Sequence, residues 1–200
     1  MHYTTENYCI RKCLSQKIIN CDYLSLKFQL ALQDHNYVLK IPPTQTEDII
    51  QKLQNIGTDD SQLPLEIRDI PGKNRGVVLT KKLSKGDFAV EYAGELIKYS
   101  TAKERENKYA MDVSKGCYMY YFKAEEKSYC IDATVQTGRY GRLINHSRQT
   151  PNLMMKVIMD GKNPHLILVA KHEIEPGTEL LYDYGDRSRK SLAAHPWLAK

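Results

Sequence analysis

From residue 64 onward the chain is a series of short apolar runs, each interrupted by turn-forming residues before it reaches helical length. "LEIRDI" and "RGVVLT" come first, then the turn "SKGD", then "FAVEYAGELI". Further on, "CYMYYF" and "SYCIDA" flank "KAEEK", and "LMMKVIMD" and "PHLILVAKHEI" flank "GKN". Finally "EPGT" turns into "ELLYDYG". Short runs bounded by Gly, Pro, Asn and Ser read as strands and hairpins. Within this stretch "STAKERENKYA" reads as a helix, capped by Ser100 or Thr101, with Glu104 within reach of Lys108. Many short strands and few helices predict a compact β-rich α+β domain.

Residues 1–63 differ in character. In 22–43, Leu24, Leu26, Phe28, Leu30 and Leu32 alternate with mostly polar neighbours, and "QDHN" offers a turn before "YVLKI". "TEDIIQKLQNIG" then reads as a short helix with Thr46 as its N-cap and Gly57 closing it. Ile49, Leu53 and Ile56 share one face of it. "TDDSQ" at 58–62 reads as a linker. The expected division is therefore an N-terminal segment, 1–63, of hairpin plus short helix without an assigned role, followed by the strand-rich domain, 64–200.

Composition narrows the class. An apolar fraction of 42% supports a core, and no stretch approaches the roughly 18 apolar residues of a membrane helix. "MHYTTENYCIRKC" has no charged region followed by an apolar run, so no signal peptide is expected. The net charge of +5 is spread along the chain, which permits nucleic-acid contact without arguing for it. Five cysteines, an odd number, disfavour a complete disulfide framework and suit a reducing compartment. Cys9, Cys13 and Cys21 match no paired Cys-x-x-Cys spacing, even with His2 or His35 added, so no metal is expected.

"ELLYDYG" carries the first chemical signal. At strand spacing Tyr182 and Tyr184 point the same way, so both hydroxyls can meet in one place. An ordinary amphipathic strand has the same pattern. Three separated segments now line up: "GKNRGVVLTKKLSKGDFAVEYAGELI" at 72–97, "GRLINHS" at 141–147 and "GTELLYDYGDRS" at 177–188. In order and spacing they resemble the SET-domain protein lysine methyltransferases. "GCYMYYF", "CIDAT" and the tail "AHPWLAK" resemble, more narrowly, the histone H4 lysine 20 monomethyltransferases. Many SET enzymes close the active site with a late zinc-bound cysteine cluster, but here no cysteine follows Cys130. The H4 subgroup uses a C-terminal helix instead, expected here at about 188–200. The resemblance implies a β-rich SET fold of several small sheets with a knot-like crossing.

It also implies S-adenosylmethionine as cofactor and in-line attack by a lysine amine on its methyl carbon, without metal. Tyr184 would lie beside the transferring methyl, Tyr182 would decide how many methyls are added, and Tyr92 would bond the amine from the opposite side. A tyrosine at 182 favours one methyl. Asp183 reads as a structural hydrogen-bonder and Ser147 as a turn residue. Asn145 would bind the cofactor's amino-acid part and His146 would lie near the adenine. Lys73, Asn74 and Arg75 would surround carboxylate and ribose. Relatives usually carry glycine where Asn74 stands, but asparagine tolerates positive φ, so the loop is expected to survive. Tyr118 would contact the cofactor. Cys117 would line the lysine channel or simply be buried. Trp197 would lie against the adenine, assisted by His195, or anchor its helix, or both. Arg142 and Asp186 read as structural or peptide-binding residues of the same cleft.

The implied partners are the histone H4 tail and the nucleosome, with a nuclear, chromosomal location, a monomeric state and no membrane. Glu104, Glu106, Asp112, Glu125 and Glu126 are candidates for an acidic peptide groove. Lys81, Lys82 and Lys85 are candidates for non-specific DNA contact. Two other readings remain open: a SET methyltransferase for a different lysine, and a non-catalytic SET-like binding module. The three tyrosines and the Asn-His pair weigh against the second.

Overall fold

The structure is a computed structural model describing residues 43–112, 118–185, 187, 189–194 and 196–199. The expected hairpin within 22–43, together with Cys117, Asp186 and His195, lies outside the described residues. In chain order the elements are α1 (Pro43–Ile56), β1 (Leu65–Ile70), β2 (Asn74–Leu79), β3 (Phe88–Glu91), β4 (Glu95–Lys98) and α2 (Tyr99–Ala110). Then come β5 (Met119–Ala124), β6 (Lys127–Asp132), β7 (Asn145–His146), β8 (Leu153–Asp160), β9 (Asn163–Ala170), β10 (Leu181–Tyr182) and α3 (Arg189–Ala194). The described residues form two compact units. The larger holds 43–93, 135–185 and 198–199; the smaller holds 94–112, 118–134, 187, 189–194 and 196–197.

The larger unit is built on a five-stranded sheet in the order β3-β9-β8-β10-β7. In β9, Leu166 through Ala170 are all buried, so both faces of that strand are covered, which explains its unbroken apolar run. Ile49 and Leu53 of α1 pack with Ile158, Ile167 and Val169 of the sheet. This helix begins at Pro43, ahead of the expected cap at Thr46, because proline needs no N–H partner in a first turn. It ends as expected, with the Gly57 N–H bonded to the Leu53 carbonyl at 3.2 Å. A division between 63 and 64 would separate α1 from the core that it completes.

The stretch "TDDSQ", expected to be a linker, is folded into this unit instead. Asp60 is fully buried; its carboxylate accepts the Tyr140 N–H at 2.6 Å and pairs with Arg139 Nε at 3.1 Å. Arg139 also pairs with Glu91 at 2.6 Å and donates to the Gly57 carbonyl, and Glu91 pairs with His165 at 2.7 Å. A buried carboxylate is tolerated only in such company. β1 and β2 form a separate antiparallel pair, joined by a turn through Pro71 and Gly72.

The smaller unit is a three-stranded sheet, β4-β6-β5, with α2 against it. Its core is Ile97, Ala102, Met119, Tyr121 and Cys130. α2 follows β4 directly, so its cap position falls on Lys98, which makes no side-chain cap bond, rather than on Ser100 or Thr101. Glu106 is not part of an acidic surface. It is 3% exposed on the inner face of α2, accepting from Lys103 Nζ and the Tyr121 hydroxyl, each at 3.1 Å. Of "KAEEK" only Glu125 and Glu126 make the β5–β6 turn; Lys123, Ala124 and Lys127 join the ladder. At the C-terminal end α3 is followed by a 3-10 turn, Pro196–Ala199, since Pro196 offers no N–H to extend an α-helix.

Candidate functional site

In the larger unit β10 lies between β8 and β7 and runs parallel to both. Leu181 stands opposite Asn145, and Tyr182 opposite His146, so the two quoted motifs "LLYDYG" and "LINHS" meet side by side. A buried residue not singled out from the sequence holds them there. Asn152 donates through Nδ2 to the Glu179 carbonyl and accepts the Leu181 N–H at Oδ1, both at 2.8 Å. Nothing in "PNLMM" signals this, because both partners lie far along the chain.

At one end of this segment are the phenols. Tyr182 is 3% exposed, and its ring centroid lies 4.7 Å from that of Tyr184, tilted by 43°. The two do share a side, although the ladder stops at Tyr182. The Tyr184 hydroxyl donates to the Ile144 carbonyl at 2.8 Å, so acceptor lone pairs are what it can offer a ligand. The Tyr184 N–H donates to His146 Nδ1 at 3.1 Å. His146 Nδ1 is therefore unprotonated, and Nε2 carries the proton that it donates to the Leu198 carbonyl at 3.1 Å. Both ring nitrogens of His146 thus staple the protein to itself, while its ring meets Tyr184 edge-on at 5.0 Å.

Asp183 accepts the Gly185 N–H at 2.9 Å, the structural role expected of it, and Ser147 Oγ accepts the Thr150 N–H at 3.0 Å. Tyr92 is 6% exposed just beyond β3, its N–H bonded to the Leu166 carbonyl at 2.8 Å. Gly141 brings the "GRLINHS" segment onto it. A Cβ there would collide with the Glu91 carbonyl oxygen and lie 2.9 Å from Tyr92 Cα. Arg142 is half-buried in the 3-10 turn Gly141–Leu143.

At the other end is a polar cluster. The Lys73 N–H bonds the Ile70 carbonyl at 3.0 Å across Pro71 and Gly72, a type II turn with Gly72 at φ 76°. Asn74 follows at φ 69°. Lys73 Nζ pairs with Glu179 Oε2 at 2.7 Å. Asn145 Nδ2 donates to Glu179 Oε1 at 2.9 Å and to the Arg75 carbonyl at 3.2 Å. With both amide hydrogens used, Asn145 presents Oδ1, an acceptor, to a ligand. Gly76 permits this approach, since a Cβ would come within 2.9 Å of Asn145 Nδ2 and 2.6 Å of Ile70. Glu179 opens "ELLYDYG" but was not singled out from the sequence, where only the tyrosines and Asp183 of that motif received roles.

Tyr118 and Trp197 belong to the smaller unit. The Tyr118 carbonyl accepts the Ala133 N–H at 3.0 Å, and Trp197 is 46% exposed in the terminal turn. Of the candidate DNA-contacting lysines, Lys82 is paired with Glu173 at 2.7 Å and Glu175 at 3.0 Å.

Comparison with known proteins identifies the family. The model of the SET domain family matches residues 74–185, more than half of the chain. A histone-lysine N-methyltransferase Set8 of Drosophila pseudoobscura pseudoobscura is 50% identical over 162 residues, covering 81% of this chain and 23% of the relative. The N-lysine methyltransferase KMT5A-A of Danio rerio is 50% identical over 149 residues, covering 74% of this chain and 42% of the relative. The chain thus spans less than half the length of these two relatives. A crystal structure of CpSET8 from Cryptosporidium superposes with a TM-score of 0.63 at 41% identity, covering 77% of this chain and 71% of that one. The chain belongs to the SET-domain family.

Proposed function

We propose that this protein is an S-adenosylmethionine-dependent protein lysine methyltransferase that places a single methyl on lysine 20 of histone H4. The observation that carries this reading is the segment 179–184, which joins the Lys73–Glu179–Asn145 cluster at one end to the Tyr182–Tyr184 pair at the other. The polar end fits an amino-acid zwitterion. Asn145 Oδ1 suits an ammonium, Lys73 suits a carboxylate, and the missing Cβ of Gly76 leaves the backbone close to both. Within the larger unit, Asn74, Arg75 and His146 are the candidates for the adenosine part.

S-adenosylmethionine, when bound, supplies a methyl group on a sulfonium that an amine can displace in line. A free lysine, with a pKa of about 10.4, is mostly charged at neutral pH and cannot attack. The buried phenols of Tyr92 and Tyr182 give it an environment that disfavours the ammonium without adding a full negative charge. Tyr184, its hydroxyl donating a hydrogen bond to the Ile144 carbonyl, offers oxygen lone pairs as an acceptor beside the reacting nitrogen. Tyr92 orients the amine, and Tyr182 restricts the space beside it, so that a methylated product does not return for a second transfer.

The relatives' names support a histone substrate, and with it a location on chromatin in the nucleus. Lys81 and Lys85, both exposed, are the candidates for salt-sensitive contact with nucleosomal DNA. The enzyme acts as a monomer without metal. Labelled methyl transfer to the separate core histones and to nucleosomes tests the reading. Label is expected on H4, with kcat about 100-fold lower for Tyr184→Phe. Absence of label from every histone would overturn it.

A further inference from the structure

Glu179 stands two residues before β10, and its side chain, 19% exposed, is fixed from two directions. Its backbone is held by the Asn152 carboxamide at 2.8 Å and by a bridge to Val78 of β2. Its carboxylate divides between two residues of the proposed cofactor site, Lys73 at 2.7 Å through Oε2 and Asn145 at 2.9 Å through Oε1.

The consequence concerns which way the Asn145 amide faces. A carboxamide can turn over and exchange its oxygen for its nitrogen with little change in shape. Here the nitrogen side meets two acceptors, the Arg75 carbonyl at 3.2 Å and Glu179 Oε1 at 2.9 Å. Turned over, Oδ1 would face both acceptors and two hydrogen bonds would be lost. Without Glu179 only the longer bond, to Arg75, remains to choose the orientation. Lys73 would lose its counter-charge in the same step. As a partly exposed ion pair Lys73–Glu179 contributes little to stability, so the value of Glu179 lies in what it arranges.

We propose that Glu179 is a positioning residue that makes this site selective for a ligand carrying an α-amino-acid zwitterion. It holds Asn145 Oδ1 outward for the ammonium and Lys73 beside it for the carboxylate. The inference rests on the cofactor reading above and adds to it a residue that touches no reacting atom.

Calorimetric titration with S-adenosylhomocysteine and with its analogue lacking the α-amino group tests it. Wild type is expected to bind the parent compound about tenfold or more tightly than the analogue, the weight of a charge-assisted hydrogen bond. Glu179→Ala is expected to reduce this ratio to about threefold or less, because only the parent loses the Asn145 contact, whereas any change at Lys73 reaches the carboxylate that both compounds carry. Glu179→Gln, which keeps an acceptor oxygen for Asn145, should recover part of the ratio. Glu173→Ala, which removes a distant exposed partner of Lys82, should leave it intact. An unchanged ratio in Glu179→Ala would overturn the positioning role while the cofactor reading stands; so would equal binding of both compounds by wild type. Binding of neither compound by wild type would overturn the cofactor reading itself. If circular dichroism shows Glu179→Ala unfolded, Glu179→Asp, too short to reach both partners, takes its place.

Discussion

Asn74 sits at φ 69° in the turn that carries Lys73 and Arg75. Asparagine is among the few residues that visit this region readily. Asn74→Gly is therefore expected to change unfolding free energy by less than about 1 kcal/mol, whereas Asn74→Val should cost about 1–2 kcal/mol or more, read from urea midpoints. The backbone at this position was legible in the sequence because conformational tolerance belongs to the residue itself. The facing of Tyr182 and Tyr184 was legible for a similar reason, since strand geometry alone puts alternate residues on one side. Roles assigned by distant partners were not. The Tyr184 hydroxyl bonds a carbonyl 40 residues away, Glu179 pairs with a lysine 106 residues away, and Asn152 reaches Glu179 across 27. Nothing local to any of these residues encodes the partner.

At the scale of elements, the face of α1 could be read from the spacing of Ile49 and Leu53, but not the surface it covers. That surface is β8 and β9, more than a hundred residues later. Leu53, 8% exposed in this cluster, is expected to cost about 2–5 kcal/mol when changed to Ala, measured by denaturant unfolding. A variant with wild-type stability would show that the helix is an appendage. The β5–β6 hairpin illustrates the opposite difficulty. Its turn puts Glu125 at φ 47° and Glu126 at φ 61°, the two-residue geometry that normally calls for Asn-Gly. Turn chemistry thus gave no warning there, and the ladder claims three residues of "KAEEK" that composition assigned to the loop. The strand pairs on either side impose the turn.

For the molecule as a whole, buried charge sets the response to pH. The Glu91 carboxylate bonded to His165 raises the imidazole above its ordinary value, against burial, which acts the other way. The stability that His165 contributes is fully present below about pH 6.5 and is lost as pH rises through its higher folded value. His165→Gln is accordingly expected to lower the urea midpoint at about pH 6 and to have little effect at about pH 9. On the acid side, burial alone would raise Asp132, but hydrogen bonds from Thr134, Arg105 and Tyr109 more than offset it and hold the carboxyl low. Its contribution is present above about pH 3.9 and is lost as pH falls through the lower folded value. Fold class was readable because short strands with turn punctuation recur from Leu65 to Tyr182, whereas this charged framework depends on side chains that only folding brings together.

The most direct test of the central claim is tandem mass spectrometry of an H4 tail peptide incubated with S-adenosylmethionine and either wild type or Tyr182→Phe. Wild type is expected to leave a single methyl on one lysine, and Tyr182→Phe to continue to the dimethyl product. A peptide left unmethylated by both proteins would contradict the proposed chemistry.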